Sequence, residues 1–462
     1  YYASRLWSSQ EAPQQLLLLF SALEMEVLDS KCVYRLEALC GRRLLHVRRH
    51  DEPVEPPLGS VQQLLRLHVV VELLLQVLAN LLQVQVVVQP RHGENTLSPV
   101  TLLDANVDLV PRTPLVLLLV LERICKTKGE APENFEESFN KFLNNCDSNN
   151  SSMATRKASK ACLDFSVKEM PELVGGSADL TPSNNTLSES SSTFSNENPK
   201  GNHINYGVRE FGMSAIMNGM VLHGGIKPYG ATFLVFTDYA RNAVRLSALM
   251  GLPNIFVYTH DSVALGEDGP THQPIEHLVT LRSTPNLNNW RPADLVETSV
   301  AWKDAVTSTK TPTCLIFSRQ GTSAITRSQD QLNAIKKGGY LLDQSDNPDM
   351  TIIASGSEVQ LALDAAKQLK SESKNINVVS MPSLDIFLQQ SEEYQRSIIN
   401  PDKPVLVVEC SHPNSWYKIL NRNDKVIGIE TFGESAPGSE LLEHFGFTEE
   451  NVIKTVKSLL ND

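Results

Sequence analysis

From residue 124 onward, short apolar runs alternate with stretches of helical periodicity along the 462-residue chain. Strands that alternate with helices in this way are typical of βαβ units, which build a mostly parallel sheet. Ligands of such sheets bind beyond the carboxyl ends of the strands. The strand candidates are the runs at 171–180, 254–262 and 313–320. The polar residues at their ends, where we expect a site, are Ser177, Asp179, His260, Asp261, Ser318 and Arg319.

A second α/β pattern begins near residue 338. Residues 350–370 have the pattern of a strand, a Gly-Ser turn and a helix, with Glu358 in the first helical turn, where the helix dipole favours an anion. Three more strand candidates follow at 376–382, 404–410 and 425–433, and a helical pattern covers 448–460. The chain is therefore predicted to contain two consecutive α/β domains, each with a mostly parallel sheet. The predicted boundaries are 124–155 for linker helices and 156–322 and 338–462 for the two domains.

Residues 1–123 differ from this pattern. Leucine, valine, glutamine and arginine dominate, glycine occurs only at Gly41, Gly59 and Gly93, and neither a helical nor a strand period persists. One interpretation is an all-helical or poorly ordered region. The other, which we favour, is a mistranslated or wrongly joined segment that is not native coding sequence. We assign this segment no function.

Composition narrows the functional classes. A net charge of −12 argues against a nucleic-acid surface, although it is compatible with a local basic pocket. Seven cysteines, an odd number without C-x-x-C spacing, indicate free thiols in a reducing compartment. We therefore expect a cytoplasmic protein, with the plastid as the alternative. The longest uncharged stretch, 73–89, falls short of the ~20 residues of a membrane helix, and no signal-peptide pattern is visible, so we expect no membrane partner.

Two local patterns carry candidate chemistry. Glu210 lies in an apolar, glycine-rich helical stretch. A carboxylate in such a stretch either forms a structural ion pair with a cation such as Arg209 or belongs to a functional site. Phe233, Phe236 and Tyr239 recur every three residues, which predicts one aromatic face of a helix. Such a face is ordinarily core packing, and the alternative is a platform for a flat ring.

Eight motifs, in order along the chain, together resemble the transketolase family. They are GGSADLTPSN (175–184), YGVREFGM (206–213), KPYGATFLVFTDYARNAVRLSALM (227–250), VYTHDSVALGEDGPTHQPIEHL (257–278), WRPAD (290–294), FSRQ (317–320), ASGSEV (354–359) and TFGESAP (431–437). The resemblance covers the family's pyrimidine-binding and C-terminal domains. It implies a thiamine diphosphate enzyme that moves a two-carbon ketol group from a ketose phosphate to an aldose phosphate, as in the pentose phosphate pathway and the Calvin cycle.

The resemblance also assigns roles to cofactor-binding residues. Glu210 would hydrogen-bond N1′ of the aminopyrimidine and promote loss of the C2 proton. That role needs a carboxyl group that holds or shares a proton near neutral pH, which apolar surroundings favour. Phe233, Phe236 and Tyr239 would wrap the aminopyrimidine, and Asp179 would lie near the cationic thiazolium as a charge partner.

Substrate-binding residues follow from the same resemblance. His260 and His272 would bind donor oxygens and assist proton transfers, as an imidazole with an ordinary pKa of about 6.5 can do. Asp268 would read the stereochemistry of a donor hydroxyl. The phosphate clamp would consist of Arg156, Ser183 and Arg319. Arginine suits phosphate because its planar fork forms paired charge-assisted hydrogen bonds. The expected catalytic residues are Glu210, His260 and His272.

The diphosphate-binding half of the family's site has no counterpart that we find in the chain. Complete transketolases bind the diphosphate and a divalent metal through a G-D-G triplet and a later asparagine, and no G-D-G triplet occurs in these 462 residues. Mg²⁺ or Ca²⁺ would hold the diphosphate through oxygen ligands, and we assign no metal ligands here. Each site of the family spans two subunits of a homodimer. We therefore expect a truncated or misassembled transketolase with little or no activity alone.

Three alternatives stay open. A dihydroxyacetone synthase or a deoxyxylulose-phosphate synthase-like enzyme would keep the cofactor and change the substrate, although the GEDGPTHQP and TFGESAP motifs favour transketolase. An inactive partner that heterodimerises with a full-length transketolase would supply one half-site. A purely structural protein ranks last, because it leaves Glu210, the two loop histidines and the phosphate-type arginines unexplained.

Overall fold

The computed structural model describes residues 131–461, apart from Glu133, and three strands before them. These strands, Tyr34–Ala38 (β1), Leu44–Arg49 (β2) and Val100–Thr101 (β3), form an antiparallel sheet. The chain divides into two units, 1–123 and 124–462, and all further elements belong to the second. Because these strands lie within 1–123, the interpretation of that segment as all-helical was wrong. Our other interpretations of 1–123 lie outside the described residues. Among the described helices, none is long and apolar enough to span a bilayer.

A six-stranded sheet forms the centre of the first α/β domain. The elements in chain order are α1 Phe135–Ser148, β4 Met153–Ala154, α2 Thr155–Glu169, β5 Leu173–Ser177, α3 Thr181–Asn184, β6 His203–Asn205, α4 Glu210–His223, β7 Lys227–Phe233, α5 Thr237–Met250, β8 Ile255–Thr259, α6 His277–Arg282, β9 Asn288–Trp290, α7 Leu295–Thr307, β10 Thr313–Phe317 and β11 Gly321–Thr322. The strand order is β6-β5-β7-β8-β10-β9, and every neighbouring pair is parallel. The predicted parallel sheet is therefore confirmed, with strands inside each of the three predicted runs.

Alternate side chains of the central strands face opposite layers. In β8, Ile255 and Val257 belong to one apolar cluster, while Phe256 and Tyr258 belong to the other. The first cluster includes side chains of α2 and α7, and the second includes side chains of α4 and α5. Because a parallel strand covered on both faces is buried at every position, β8 is a continuous run, IFVYT, rather than an alternating one.

The second α/β domain is built on a five-stranded sheet. Its elements are α8 Gln329–Ala334, β12 Tyr340–Asp343, β13 Met350–Ala354, α9 Glu358–Ser371, β14 Ile376–Ser380, α10 Leu384–Leu388, α11 Glu392–Ile398, β15 Val405–Val408, β16 Lys425–Ile427, α12 Gly438–His444 and α13 Glu449–Leu460. The strand order is β12-β14-β13-β15-β16, in which the edge strand β12 is antiparallel and the other neighbours are parallel. This second mostly parallel sheet also confirms the prediction.

A buried ion network joins the two α/β domains. Arg291, which is 1% exposed, donates from Nε to Asp261 Oδ2 over 2.9 Å and from Nη1 to the Glu358 carboxylate. Arg282 donates from both Nη atoms to Glu409, over 2.7 and 2.8 Å. Burial alone would raise the pKa of Glu409, yet Arg282 and Arg291 lower it to about 2. Because Asp261 is the second residue after β8, this network anchors the loop that leaves the carboxyl end of that strand.

Candidate active site

Several strands bring candidate residues to the carboxyl edge of the first sheet. Phe233 is the last residue of β7, His260 directly follows β8, and Asp179 and Arg319 stand two residues beyond β5 and β10. Asp179 and His260 have left-handed backbones, with φ of 61° and 63°. Residues other than glycine rarely adopt this conformation, and such positions cluster at functional sites. The polar residues that we expected beyond these strands therefore share one edge.

The three candidate aromatic residues come from three elements rather than one helix. Phe233 ends β7, Phe236 ends the 3₁₀ turn Leu234–Phe236, and Tyr239 lies in the first turn of α5. The rings of Phe233 and Phe236 stack with centroids 5.7 Å apart and planes at 15°, and those of Phe236 and Tyr239 lie 5.8 Å apart. The prediction of a single helical face was wrong. The spacing of three still aligns the rings because a tight turn joins the strand to the helix.

Both candidate histidines join this aromatic stack. The His260 ring lies 3.8 Å from the Phe233 ring, centroid to centroid, with planes at 30°. His272 meets Phe236 edge-on at 5.4 Å, and its Nδ1 lies 2.9 Å from the Thr271 hydroxyl. The structure therefore brings the three aromatic residues predicted for the cofactor together with the two histidines predicted for the donor substrate.

The electrostatic setting of His260 differs from our expectation of an ordinary imidazole. Burial, and then the charges of Arg156, Arg319 and His272, lower the pKa of His260 to about 3. Its Nδ1 lies 2.8 Å from the hydroxyl of Thr259, which fixes the ring. The expected pKa near 6.5 was wrong for His260. Near neutral pH this imidazole is uncharged, so it can exchange hydrogen bonds with a ligand but cannot act as an imidazolium acid.

Two arginines lie near each other at the same edge. Burial, and then the nearby charge of Arg319, lower the pKa of Arg156. Within the described residues neither forms an ion pair, and the buried Nε of Arg156 has no hydrogen-bond partner. Arg156 Nη1 donates to the backbone carbonyl of Ser183 over 2.8 Å. Two adjacent cations without a counter-ion are suited to a bound anion such as a phosphate.

Glu210 is the first residue of α4 and is only 7% exposed. Its carboxylate has no hydrogen bond or ion pair with any described residue. Arg209 does not pair with it, because the Arg209 guanidinium donates to the carbonyl of Tyr206 over 3.0 Å. Because the residue is mostly covered while its carboxylate has no partner in the described part of the chain, this group is available to a ligand or a second chain.

The fold places Glu210 at the edge that carries the aromatic stack. α4 follows β6, and in a parallel sheet the helix after a strand starts at the carboxyl edge. α4 packs closely on β7, because a Cβ atom added to Gly230 would lie 2.4 Å from the sulfur of Met217 and 3.0 Å from that of Met213. This glycine therefore allows the helix to approach the strand that ends in Phe233. No hydrogen bond, ion pair or ring contact joins Glu210 itself to the aromatic residues in the described part.

Three predicted residues make fewer contacts. Asp268 is exposed on a loop bounded by Gly266 and Gly269, whose φ values are 98° and 76°. Asp179 is exposed, and neither carboxylate has a partner among the described residues. Ser183 meets Arg156 through its carbonyl, whereas its hydroxyl has no hydrogen bond within the described range.

Two residues of this region escaped the sequence reasoning. The hydroxyl of Tyr206 is buried without a hydrogen-bond partner, and burial raises the pKa of that phenol. Arg291 anchors the loop after β8 through Asp261. Both stand in motifs quoted for the resemblance, YGVREFGM and WRPAD, which is the signal that could have found them.

Comparison with known proteins places these domains. Residues 151–323 match the family model described as the transketolase pyrimidine binding domain, and residues 338–448 match the transketolase-like C-terminal domain. The chain belongs to the transketolase family. Transketolase 1 of Vibrio parahaemolyticus is 50% identical over 337 residues, which are 72% of this chain and 51% of that protein. The chain spans about half the length of the curated transketolases it matches.

Solved transketolases share the fold. A Pichia stipitis transketolase in complex with sedoheptulose-7-phosphate has a TM-score of 0.69 and 41% identity, over 74% of this chain and 50% of that one. The Leishmania mexicana transketolase has a TM-score of 0.69 and 40% identity, over 75% and 52%. A split-gene transketolase described as an inactive β4 tetramer has a TM-score of 0.53 and 26% identity, over 67% of this chain and 99% of its own. The family resemblance is therefore confirmed, and the roles of the individual residues stay predictions.

Proposed function

We propose that this chain forms the pyrimidine-binding half of a transketolase site. Completed by a diphosphate- and metal-binding half, it transfers a two-carbon ketol group from a ketose phosphate to an aldose phosphate. The observation that carries this proposal is the carboxylate of Glu210, which has no partner in the described residues and lies at the sheet edge that also holds an aromatic stack and two arginines without an ion pair. The four described cysteines are free and buried, which supports a reducing compartment such as the cytoplasm.

The residues present fit the aminopyrimidine of thiamine diphosphate. Glu210, a residue that is 7% exposed, offers a carboxyl group without a partner in the described residues that can hydrogen-bond a ring nitrogen. Phe233 and Phe236 offer stacked ring faces that orient a flat heterocycle, and the exposed Asp179 offers negative charge to a cationic ring. When bound, thiamine diphosphate supplies the carbanion chemistry of ketol transfer.

The substrate half of the proposal rests on the cations and histidines. Arg156 and Arg319 bind the phosphate, since they lie close together without a counter-ion in the described residues. His260, kept neutral by its lowered pKa, binds a donor oxygen without adding charge to the site. His272 is then the histidine that moves a proton, and Asp268 contacts a donor hydroxyl. The sugar phosphate bound to the Pichia stipitis transketolase supports this substrate class.

A second copy of the chain is the expected neighbour of Glu210. A set of large apolar side chains is exposed on α4, on α5 and just before the start of α4. These are Val208, Phe211, Ile216, Leu222, Leu246, Leu249 and Met250. A patch of this kind marks an interaction surface, and two copies joined there would bring a second chain beside Glu210. Mg²⁺ or Ca²⁺ would belong to the diphosphate-binding half.

A second candidate function has one specific observation behind it. The split-gene transketolase that this chain covers almost completely is described as inactive in its β4 form. We infer that an assembly of this chain alone is inactive as well, and that a partner bearing the diphosphate site restores turnover. The chain alone is then an inactive half-site, and the chain with its partner is an active transketolase.

The test is complementation. The purified chain is mixed with the separately expressed diphosphate-binding domain of a transketolase, thiamine diphosphate and Mg²⁺, and turnover of xylulose-5-phosphate with an aldose phosphate is measured. We expect turnover with the mixture and none with either component alone. Glu210→Gln should reduce kcat at least about a hundredfold, in the range for loss of a group that acts in proton transfer.

The matched control is Glu393→Gln, which changes an exposed glutamate that is also in the first turn of a helix. It should leave turnover unchanged. A mixture that binds both the cofactor and the sugar phosphate yet shows no turnover would contradict the proposed reaction. Equal turnover of Glu210→Gln and Glu393→Gln would contradict the role of Glu210.

A further inference from the structure

A histidine and two carboxylates converge where the start of α5 meets the start of α6. Asp238 is in the first turn of α5, Glu276 directly precedes α6, and His277 is the first residue of α6. His277 Nε2 lies 3.3 Å from Asp238 Oδ2, and His277 Nδ1 lies 3.9 Å from Glu276 Oε2. One ligand atom from each residue lies within 4.8 Å of the other two.

His277 is the unusual member of this group. Its side chain is 4% exposed, yet neither ring nitrogen has a hydrogen-bond partner. A buried imidazole ordinarily satisfies at least one nitrogen, because an unmade hydrogen bond in the interior costs about 1–3 kcal/mol. Here the nitrogens face two carboxylates that are 63% and 54% exposed, so the carboxylate side of the group is open to ions from solvent.

The ligand types select the kind of metal. Imidazole with carboxylates suits Zn²⁺ and related transition metals, whereas Mg²⁺ and Ca²⁺ prefer oxygen ligands alone. Zinc bonds to nitrogen and oxygen of about 2.0–2.2 Å place tetrahedral ligand atoms about 3.3 Å apart. The separation of His277 Nε2 and Asp238 Oδ2 has this value, at 3.3 Å. A rotation of the exposed Glu276 side chain would bring its carboxylate to the same ion, and water would complete the tetrahedron.

We propose that Asp238, Glu276 and His277 bind a divalent transition metal, with Zn²⁺ as the expected ion. The bound ion would join the start of α5 to the start of α6. Because Tyr239 of the aromatic stack is adjacent to Asp238, the ion would also restrain the end of that stack. This proposal does not depend on the chain's ketol-transfer activity, because it concerns metal binding alone.

The test is calorimetric titration of Zn²⁺ into the chelator-treated full chain near neutral pH, without thiamine diphosphate. We expect a binding event that weakens at least about tenfold in Asp238→Asn, Glu276→Gln and His277→Gln, as loss of a ligand requires. Asp238 and Glu276 are exposed, so their variants remain informative even if His277→Gln fails to fold. The matched control is His444→Gln, because His444 faces a single carboxylate, Glu434, at 3.7 Å with both side chains exposed.

Cobalt provides an independent readout of the ligands. Co²⁺ bound at this site should give visible absorption without a thiolate-to-metal charge-transfer band. Unchanged zinc affinity in both Asp238→Asn and Glu276→Gln would overturn the proposal. A thiolate band that persists in these variants would overturn it too, because the bound ion would then be held by cysteines.

Discussion

Removal of the Arg291 side chain should sharply destabilise the contact between the two α/β domains. Arg291 is 1% exposed and donates to the carboxylates of Asp261 and Glu358, whose side chains are 1% and 3% exposed. In Arg291→Leu both carboxylates would remain in the interior without their cation. Breaking a buried pair in this way costs about 3–5 kcal/mol, because an uncompensated buried charge remains.

The assay is urea unfolding followed by tryptophan fluorescence. Trp416 reports on this region, because its Nε1 donates to Glu409 Oε2 over 2.8 Å and Glu409 lies beside Arg291. The control is Arg396→Leu, which removes an exposed arginine paired with Glu392 four residues earlier at 2.8 Å. Exposed pairs of this kind contribute about 0.3–0.5 kcal/mol.

A compensating change separates charge burial from packing. In the double variant Arg291→Leu with Glu358→Gln, one of the uncompensated charges is gone, so we expect part of the lost stability to return. A loss in Arg291→Leu no larger than that in Arg396→Leu would refute the reasoning. A full loss that Glu358→Gln does not relieve would show that the arginine acts through packing alone.

Three further predictions concern the site and the exposed apolar surface of α4 and α5. The folded pKa of His260, about 3, lies below its ordinary value of 6.5, so the stability it contributes is complete above pH 6.5 and is lost as pH falls towards 3. The free energy of unfolding in urea, measured at pH 5 and pH 8, should therefore differ less between the two pH values in His260→Gln than in the unaltered chain. Equal pH dependence in both proteins would contradict this. Arg319→Gln should weaken binding of inorganic phosphate by about tenfold in calorimetry, ~1.4 kcal/mol, whereas the exposed Arg422→Gln should not. Leu249→Glu places a charge on a side chain that is 70% exposed and should shift sedimentation towards the monomer, while an unchanged sedimentation coefficient would place the interface elsewhere.

Local sequence patterns predicted the architecture well because the buried strands are short continuous apolar runs and the helices between them have a helical period. The continuous run IFVYT in β8, together with the polar residues that follow it, indicates the carboxyl edge of the sheet from local composition alone. The same reasoning misplaced Phe233, Phe236 and Tyr239, because a spacing of three is identical on a helix and across a strand, a 3₁₀ turn and a helix. Spacing alone cannot separate these cases.

Electrostatic properties of the site depend on residues distant in sequence. The lowered pKa of His260 depends first on burial and then on Arg156 and Arg319, which lie 104 positions before and 59 positions after it in the chain. No local pattern encodes that convergence. The metal-type cluster was missed for the same reason, since Asp238 and His277 belong to different helices. The family motifs located Glu210, but only the fold shows that the residue is 7% exposed and that its carboxylate has no partner in the described part of the chain.

The most direct test of the half-site is cofactor binding in the complemented assembly. Thiamine diphosphate with Mg²⁺ is titrated into the chain mixed with a diphosphate-binding transketolase domain, and the titration is repeated with Glu210→Gln and with Glu393→Gln. We predict that the mixture binds the cofactor and that Glu393→Gln binds it like the unaltered chain. Glu210→Gln should weaken binding at least about tenfold, because a hydrogen bond to a charged group contributes about 1.5–3 kcal/mol. Equal affinity of the unaltered chain and Glu210→Gln would contradict the account.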